Sequence, residues 1–411
     1  MIQLFNKNSG LKELPNNILV VLPFTLFFPI GIMYALLGFF ILALLLSGDY
    51  ALKIGNIRNS PLFFPALALL ILSLLSSLFI STPTYHPFEH LLHYQIYFVL
   101  LMLISVGGGD WQKKSMDVFL VGAVYGASLF FLTRIFEFPN WTIFRNYISY
   151  EGNKSVSLGI FLGIAAAVSL LYSLHADNKN KKIMFGAIYI YISIAVLFFA
   201  KTRSGHVALI ALSLLAIVMN FKFRRSSLVL PAVLFMLLAF SWQSSTLFKD
   251  RTTRLVNDLI VFSKGGIPSF EAARLEFFVH TGEMISEKPI IGHGVGAWRA
   301  QYPDRATGLI TAEMSAPHND YLLYWAELGI PGLMALGWIW FTLIRAGRSL
   351  HDLQGQILIT LTVVTIVGGL TNTILRDWRF GVPIMILTSA VLAGLAKKND
   401  DQASVVSFTK S

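Results

Sequence analysis

Apolar runs separated by short polar stretches dominate the chain from residue 17 to residue 396. A helix needs roughly 20 apolar residues to cross about 30 Å of hydrocarbon while satisfying its own backbone hydrogen bonds. The runs predict twelve spans, at residues 17–32, 34–48, 62–80, 90–106, 116–133, 156–174, 183–200, 205–220, 227–242, 322–344, 356–374 and 380–396. The first two form one continuous stretch that we divide at Pro29-Ile30-Gly31. Merging them would give eleven spans and move the N-terminus to the other side of the membrane.

The composition agrees with an all-α integral membrane protein. Hydrophobic residues make up 55% of the 411 residues and charged residues only 13%, whereas a soluble domain carries about 25% charged residues. The chain has no cysteine, so it offers neither a disulfide framework nor a thiolate metal site. Its first residues are too polar for a cleaved signal peptide.

The distribution of basic residues predicts the orientation. With twelve spans, the loops that share a side with the N-terminus hold 17 of the 32 lysines and arginines, and the long segment 243–318 holds eight. The short loops on the opposite side hold only seven: Arg134, Arg145, Lys154, Lys201, Arg203, Arg376 and Arg379. Because long translocated segments are exempt from the positive-inside rule, both termini are expected in the cytoplasm. The +10 net charge thus follows the topology, and we expect no nucleic-acid partner.

This orientation divides the chain into four parts. Residues 1–242 form the first nine spans, 243–320 a periplasmic loop domain, 321–398 the last three spans, and 399–411 a disordered cytoplasmic tail. The seven basic residues in the short outer loops oppose the charge rule. Three explanations are open: snorkelling of the side chains at the membrane interface, pairing such as that of Asp377 with Arg376 and Arg379, or binding of an anionic ligand on the outer face.

The long outer loop has two recognisable elements. Residues 269–285 predict a helix with an apolar face and with Arg274 beside that face; its apolar positions are Phe270, Ala273, Phe277, Phe278, Thr281 and Met284. A glycine-rich turn, Lys288-Pro-Ile-Ile-Gly-His-Gly-Val-Gly-Ala-Trp298, follows. No strand precedes this turn, so a nucleotide-binding loop is a weak alternative to a tight bend beneath a packed Trp298.

The junction of this loop with span ten carries the most informative pair, His318-Asn319. Imidazole, with an ordinary pKa of about 6.5, can accept a proton from an alcohol near neutral pH. An interfacial histidine that caps the next helix is the alternative from chemistry alone.

A family resemblance adds to this picture. Pro317-His318-Asn319, followed after nine residues by Gly329 and then by Gly332, resembles the His-Asn-x9-Gly-x-x-Gly signature of the O-antigen ligase family. Thr202-Arg203-Ser204-Gly205 resembles the second motif of that family, and Arg274 with the glycine-rich turn resembles the third. The motif order, the spans and the outer loop extend the resemblance over nearly the whole chain.

The resemblance implies a GT-C-like membrane glycosyltransferase of the bacterial inner membrane with a periplasmic active site. It implies metal-independent, inverting transfer of O-antigen from undecaprenyl pyrophosphate to lipid A-core. His318 would be the general base, and Arg203 and Arg274 would bind the pyrophosphate. We expect no cofactor, and we expect a monomer.

Further residues are candidates for substrate contact. They are Arg145, Asn319, His206, Arg376 and Arg379. His86, His90 and His93 near the outer end of span four offer a metal site as a weaker alternative, because carboxylate support is lacking beyond Glu89.

Other functions stay open at this point. O-antigen or capsule polymerases and protein O-oligosaccharyltransferases share much of the motif pattern. A lipid-linked glycan transporter is a more distant alternative, since transporters carry ionisable residues within their spans and these spans are almost free of charge.

Overall fold

The computed structural model describes residues 7–78, 87–136, 153–199, 203–220, 274–350, 353–393 and 395, with the single positions 253, 256, 257, 260, 261 and 264. The described elements are helices, and no strand occurs among them. They are α1 (Lys7–Val21), a 3-10 helix (Leu22–Phe27), α2 (Ile30–Leu46), α3 (Tyr50–Arg58), α4 (Phe63–Ser77), α5 (Pro87–His93), α6 (Ile96–Ile104), α7 (Trp111–Ile135), α8 (Asn153–His175), α9 (Lys179–Ile194), a π-helical segment (Ala195–Phe199), α10 (Arg203–Asn220), α11 (Arg274–Glu287), α12 (Ala297–Arg305), a 3-10 turn (Ile310–Glu313), α13 (Asp320–Leu350), α14 (Leu353–Thr371) and α15 (Trp378–Leu392).

Each predicted span except 227–242 overlaps one of these helices, and span 227–242 lies outside the described residues. Among the described helices, five are long and apolar enough to cross a membrane, or six if the bent pair α2 and α3, which turns by 116°, forms one span. The chain is therefore a multi-pass helical membrane protein, and the number twelve stays a prediction. The expected division near Pro29 is present, because Phe28 and Pro29 adopt extended backbone between the 3-10 helix and α2.

The end of the loop helix and one of its predicted apolar positions differ from the sequence prediction. The loop helix is described from Arg274 to Glu287, two residues beyond the predicted end, and positions 269–273 lie outside the described residues. Phe278, predicted on the apolar face, is 49% exposed, whereas Phe277, Thr281 and Met284 are buried. Phe278 directly follows Phe277, and a helix rotates about 100° per residue, so the two side chains leave the helix in different directions.

Side-chain hydrogen bonds between helix ends establish which ends of the helices lie together. α10 packs beside α14, and the amide of Asn220, the last residue of α10, donates to Gln356 near the start of α14 at 2.7 Å. The two helices are thus antiparallel, so Arg203 at the start of α10 lies at the same end of the bundle as Asn372, which follows α14. We call this end the site end.

The opposite end, which we call the basic end, collects the loops rich in lysine and arginine. Gln112 in the first turn of α7 donates to the carbonyl of Ala390 near the end of α15 at 3.0 Å. The last turn of α8 likewise meets the first turn of α9 through Ser173 and the carbonyl of Lys182, 2.9 Å apart. Basic residues at this end include Lys113, Lys114, Lys179, Lys181, Lys182, Arg345 and Arg348. The structure thus segregates these charges from the site end, as the sequence pattern predicts.

The described part of the loop folds over the site end with its own small core. Phe277, Trp298 and Tyr302 pack together and against Leu323 and Ala326 of α13. Their polar atoms are satisfied internally: the Trp298 indole donates to Thr281 at 2.9 Å, and Tyr302 donates to Thr311, which donates to Glu276. Such satisfaction lets an aromatic cluster with polar tips be buried.

Candidate functional site

His318 lies in the loop immediately before α13 and has positive φ (49°), which is unusual for a non-glycine residue. Two hydrogen bonds of the neighbouring Asn319 side chain hold this part of the backbone in place. The Asn319 side-chain oxygen accepts from the backbone N–H of Leu322 at 3.0 Å and so caps α13. The Asn319 amide nitrogen donates to the carbonyl of Leu370 at 3.1 Å. Asn319 is therefore buried and holds the loop before α13, and its predicted contact with substrate stays a prediction.

The tautomer of His318 follows from its partner, Asn372. The side-chain oxygen of Asn372 accepts from the backbone N–H of Thr373 at 3.0 Å, which identifies that atom as oxygen rather than nitrogen. His318 Nδ1 lies 2.9 Å from the same oxygen, so Nδ1 must carry the hydrogen and donate it. His318 Nε2 consequently keeps its lone pair, and the neutral ring can accept a proton there.

Burial and nearby cations lower the pKa of His318 below its ordinary value of 6.5. Burial has the largest effect, because a partly dry site disfavours the charged imidazolium. The positive charges of Arg274 and Arg376 lower the pKa further, whereas the bond to Asn372 and the charge of Asp377 raise it. The ring is therefore neutral at neutral pH, as a proton acceptor must be.

Three of the predicted arginines at the site end have described side chains, and these three come from two segments. Arg274 begins α11, is exposed, and acts electrostatically on His318, as does the half-buried Arg376 after α14. Arg379 is exposed in the first turn of α15. Pairing with Asp377 was one explanation for Arg376 and Arg379, and no ion pair among the described residues joins them. The Asp377 side chain caps α15 by accepting from the Arg379 backbone N–H at 3.0 Å.

The remaining predicted residues are placed less fully. Arg203 is the first residue of α10 at the site end, and Arg145 lies outside the described residues. His206 places Nε2 3.2 Å from the carbonyl of Leu197, a contact that ties α10 to the π-helical segment. Of the three histidines near span four, His86 lies outside the described residues. The ring centroids of His90 and His93 are 6.2 Å apart, and His90 packs against Gly296 of the glycine-rich turn. Within the described ranges no three His, Asp or Glu residues form a group suited to a metal ion.

The glycine-rich turn contacts a break in α13, and this contact joins the third motif to the His-Asn-x9-Gly-x-x-Gly signature. The helix is interrupted at Gly329, which has φ 68° and ψ −162°, and the turn docks there. The backbone N–H groups of His293 and Gly294 donate to the carbonyls of Ala326 and Glu327 at 2.8 and 2.9 Å. A Cβ on Gly292 would lie 2.5 Å from the carbonyl oxygen of Glu327, so only glycine fits.

Two buried carboxylates belong to this assembly and were missed from the sequence. Glu327 accepts from the Tyr94 hydroxyl at 2.6 Å and from the backbone N–H of Trp298 at 3.2 Å. These two bonds connect α13 to the segment between α5 and α6 and to the start of α12. Asp320 is fully buried and accepts from the backbone N–H of Leu375 at 3.1 Å, beside Arg376. For Glu327, an acidic residue inside a predicted span was the available signal, because a charge in an apolar span is costly unless it has partners. Asp320 lies two residues before that span and carried no such signal.

Comparison with known proteins agrees with the motifs. Residues 188–337 match a protein-family model described as O-Antigen ligase, and the resemblance that the three motifs indicate is confirmed over that part of the chain. The match contains Arg203, Arg274, His318, Gly329 and Gly332 but ends before Asn372. It supports the O-antigen ligase and polymerase superfamily, whose members are glycosyltransferase-like enzymes acting on lipid-linked glycans. No curated protein matches the chain significantly.

Proposed function

Because residues 188–337 match the O-antigen ligase family, we propose that this protein is an O-antigen ligase of the bacterial inner membrane. It would transfer O-antigen polysaccharide from undecaprenyl pyrophosphate to a sugar hydroxyl of lipid A-core at the periplasmic face. The observation that carries the proposal is the fixed tautomer of His318: Nδ1 donates to Asn372, and Nε2 is left as a proton acceptor within the electrostatic reach of Arg274 and Arg376.

In the proposed reaction, His318 Nε2 takes the proton of the acceptor hydroxyl as its oxygen attacks the anomeric carbon of the donor. The new carbon–oxygen bond forms as the bond from that carbon to the pyrophosphate oxygen breaks. The bonding electrons leave with the pyrophosphate, and the anomeric configuration inverts. Pyrophosphate departs without a protonating acid, so the catalytic need is a proton acceptor on one side and positive charge on the other.

The arginines supply that positive charge. A guanidinium donates two parallel hydrogen bonds to a phosphate, so its geometry suits an anionic leaving group. We assign Arg203 and Arg274 to the pyrophosphate, with Arg376 and Arg379 as further contacts at the same end of the bundle. This role would explain why these four arginines lie at the site end, away from the other basic residues at the basic end. Both substrates are lipid-borne, so the bilayer confines their head groups to one plane, and this confinement favours encounter and orientation.

A deletion strain tests the activity and separates it from that of a polymerase. If the protein is a ligase, deletion leaves lipid A-core bare and polymer stranded on the carrier, and the wild-type gene restores the lipopolysaccharide ladder. Core bearing single repeats would instead identify a polymerase, whose acceptor is a second lipid-linked repeat. An unchanged ladder would contradict both.

Arg274→Lys tests the guanidinium fork. The substitution keeps the charge but loses the paired donors, so we expect the transfer rate to fall by roughly 10²-fold, the cost of removing one strong donor from a site of developing charge. The measurement is transfer of labelled polymer by purified protein. Arg345→Lys at the basic end is the matched control and should leave the rate unchanged. Wild-type activity of Arg274→Lys would reduce Arg274 to a structural residue.

The pH dependence of transfer tests Asn372 as a positioning residue. Since the folded-state pKa of His318 is below 6.5, the base stays unprotonated at neutral pH, and activity should fall only as pH drops through that lowered pKa. Asn372→Asp places a carboxylate beside the Nδ1–H of His318 and raises the pKa of that imidazole, so the acidic limb of the rate profile should move to higher pH. Asn372→Leu should lower the rate at every pH, because the tautomer is no longer fixed. An Asn372→Asp profile identical to wild type would contradict this role.

A further inference from the structure

Two neighbouring isoleucines stand on the surface at the site end. Ile290 and Ile291, in the turn that follows α11, are 65% and 70% exposed. Single exposed apolar residues are ordinary, but an adjacent pair on an ordered turn is a candidate contact surface. We call residues 288–292 the isoleucine turn.

The isoleucine turn is held rigidly against α13. The carbonyl of Pro289 accepts from the backbone N–H of Ile330 at 3.2 Å and from the indole of Trp325 at 3.0 Å. The turn closes on itself through the Gly292 N–H and the Lys288 carbonyl, 3.0 Å apart. The two isoleucines are therefore presented at a fixed height, beside the point where α13 resumes after Gly329.

That point is the beginning of an apolar stripe on α13. Ile330, Met334, Trp338 and Phe341 are all exposed, and their spacing places them along one face of the helix. The helix is one of those long and apolar enough to cross a membrane, so this exposed apolar face is suited to contact with lipid. The backbone N–H of Ile330 is bonded to Pro289, and the two isoleucines thus extend this exposed apolar stripe past the break at Gly329.

The polar surroundings of the pair match a membrane interface. Lys288 is exposed next to the isoleucines. The neighbouring Glu287 is engaged by the Arg305 guanidinium at 2.6 and 2.8 Å, which leaves the local surface cationic at Lys288. The half-buried Trp325 directs its indole N–H to the turn. Lysine and tryptophan flanking apolar side chains are typical of the boundary between headgroups and acyl chains.

We infer that the isoleucine turn is a membrane anchor, with Ile290 and Ile291 among the acyl chains of the leaflet at the site end and Lys288 at headgroup depth. The partner is the lipid bilayer itself. Because the same turn is bonded to Trp325 and Ile330, insertion would fix the loop core and the adjacent part of α13 at a defined depth. This inference does not depend on the ligase assignment.

Single-cysteine labelling tests the anchor directly, since the natural chain has no cysteine. Ile290→Cys and Ile291→Cys would each be labelled with an environment-sensitive fluorophore and reconstituted into phosphatidylethanolamine–phosphatidylglycerol vesicles. Met334→Cys on the α13 stripe is the lipid-exposed reference, and Ser286→Cys, on the exposed last turn of α11, is the water-exposed reference. Quenching is measured with nitroxide-labelled lipid and with aqueous iodide.

We expect the labels at positions 290 and 291 to be quenched by nitroxide lipid as strongly as at 334 and to be protected from iodide. The label at 286 should show the reverse. Quenching by iodide at 290 and 291 would place the turn in water and overturn the inference. Resistance to both quenchers would show that protein, from this chain or a second copy, covers the turn, and would overturn it equally.

Discussion

A strain whose only copy carries His318→Ala should produce lipid A-core without polymer, although the protein is present in the membrane at its normal level. A positioned general base contributes roughly 10²–10⁴-fold to rate, and alanine leaves no proton acceptor at that position. The substitution also removes the donor to Asn372, whose oxygen keeps its bond from Thr373. The local backbone is therefore expected to survive, and the loss is expected in catalysis rather than in folding.

His280→Ala is the matched control. His280 lies on α11, where its ring is 3.1 Å from exposed Glu283, and removing it deletes an imidazole of the same loop without touching the site. The ladder should be normal with this variant. Polymer-bearing lipopolysaccharide at the wild-type level with His318→Ala would rule out His318 as the base, even if the deletion strain itself lacks the ladder.

Gly329→Ala should abolish the folded protein or lower its thermal stability sharply. Gly329 has φ 68° and ψ −162°, a region open almost only to glycine, and such strain costs about 1–3 kcal/mol for another residue. A Cβ would also lie 2.1 Å from the carbonyl oxygen of Ile290, which is backbone and cannot rotate away. The turn would have to leave α13, with loss of the Gly294–Glu327 and Ile330–Pro289 bonds.

The measurement is a melting curve of detergent-purified protein followed by size-exclusion chromatography. Gly337→Ala is the control on the same helix, since nothing lies within 4 Å of an added Cβ there. Alanine is the better helix former, so this control should be neutral or slightly stabilising. Equal melting temperatures for the two variants would show that the break at Gly329 does not require glycine.

The helices and the segregation of charge were accessible from sequence because they follow from local composition. Lys179 and Arg345 lie at one end, and Arg203 and Arg376 at the other, as the loop pattern predicts. The histidine was accessible as well, since its spacing to Gly329 and Gly332 is fixed along the chain. The break at Gly329 was not predicted: a run of apolar residues reads as one helix, and the contact that demands the break comes from residues 290–294.

The partners of the site were also hidden, for a related reason. Asn372 lies 54 residues after His318, and Tyr94 lies 233 residues before Glu327. Neither pairing has a periodicity or a spacing that a single sequence reveals. The tautomer of His318 depends on the orientation of the Asn372 amide, which the backbone N–H of Thr373 sets. A backbone N–H is present at almost every position, so the sequence gives no sign of this bond. The bonds of Asn319 to the backbone of Leu322 and Leu370 were hidden for the same reason, and its predicted contact with substrate stays a prediction.

The docking of the glycine-rich turn on α13 has a consequence for access. Three backbone hydrogen bonds join residues 289–294 to residues 326–330, and glycines leave no space between the two segments. This part of the loop is therefore docked on α13 as a rim of the site end, and it lacks the free hinge of a lid. If the protein catalyses the proposed transfer between two lipid-borne molecules, a fixed rim at this point favours entry of the substrates and exit of the spent carrier through the plane of the bilayer.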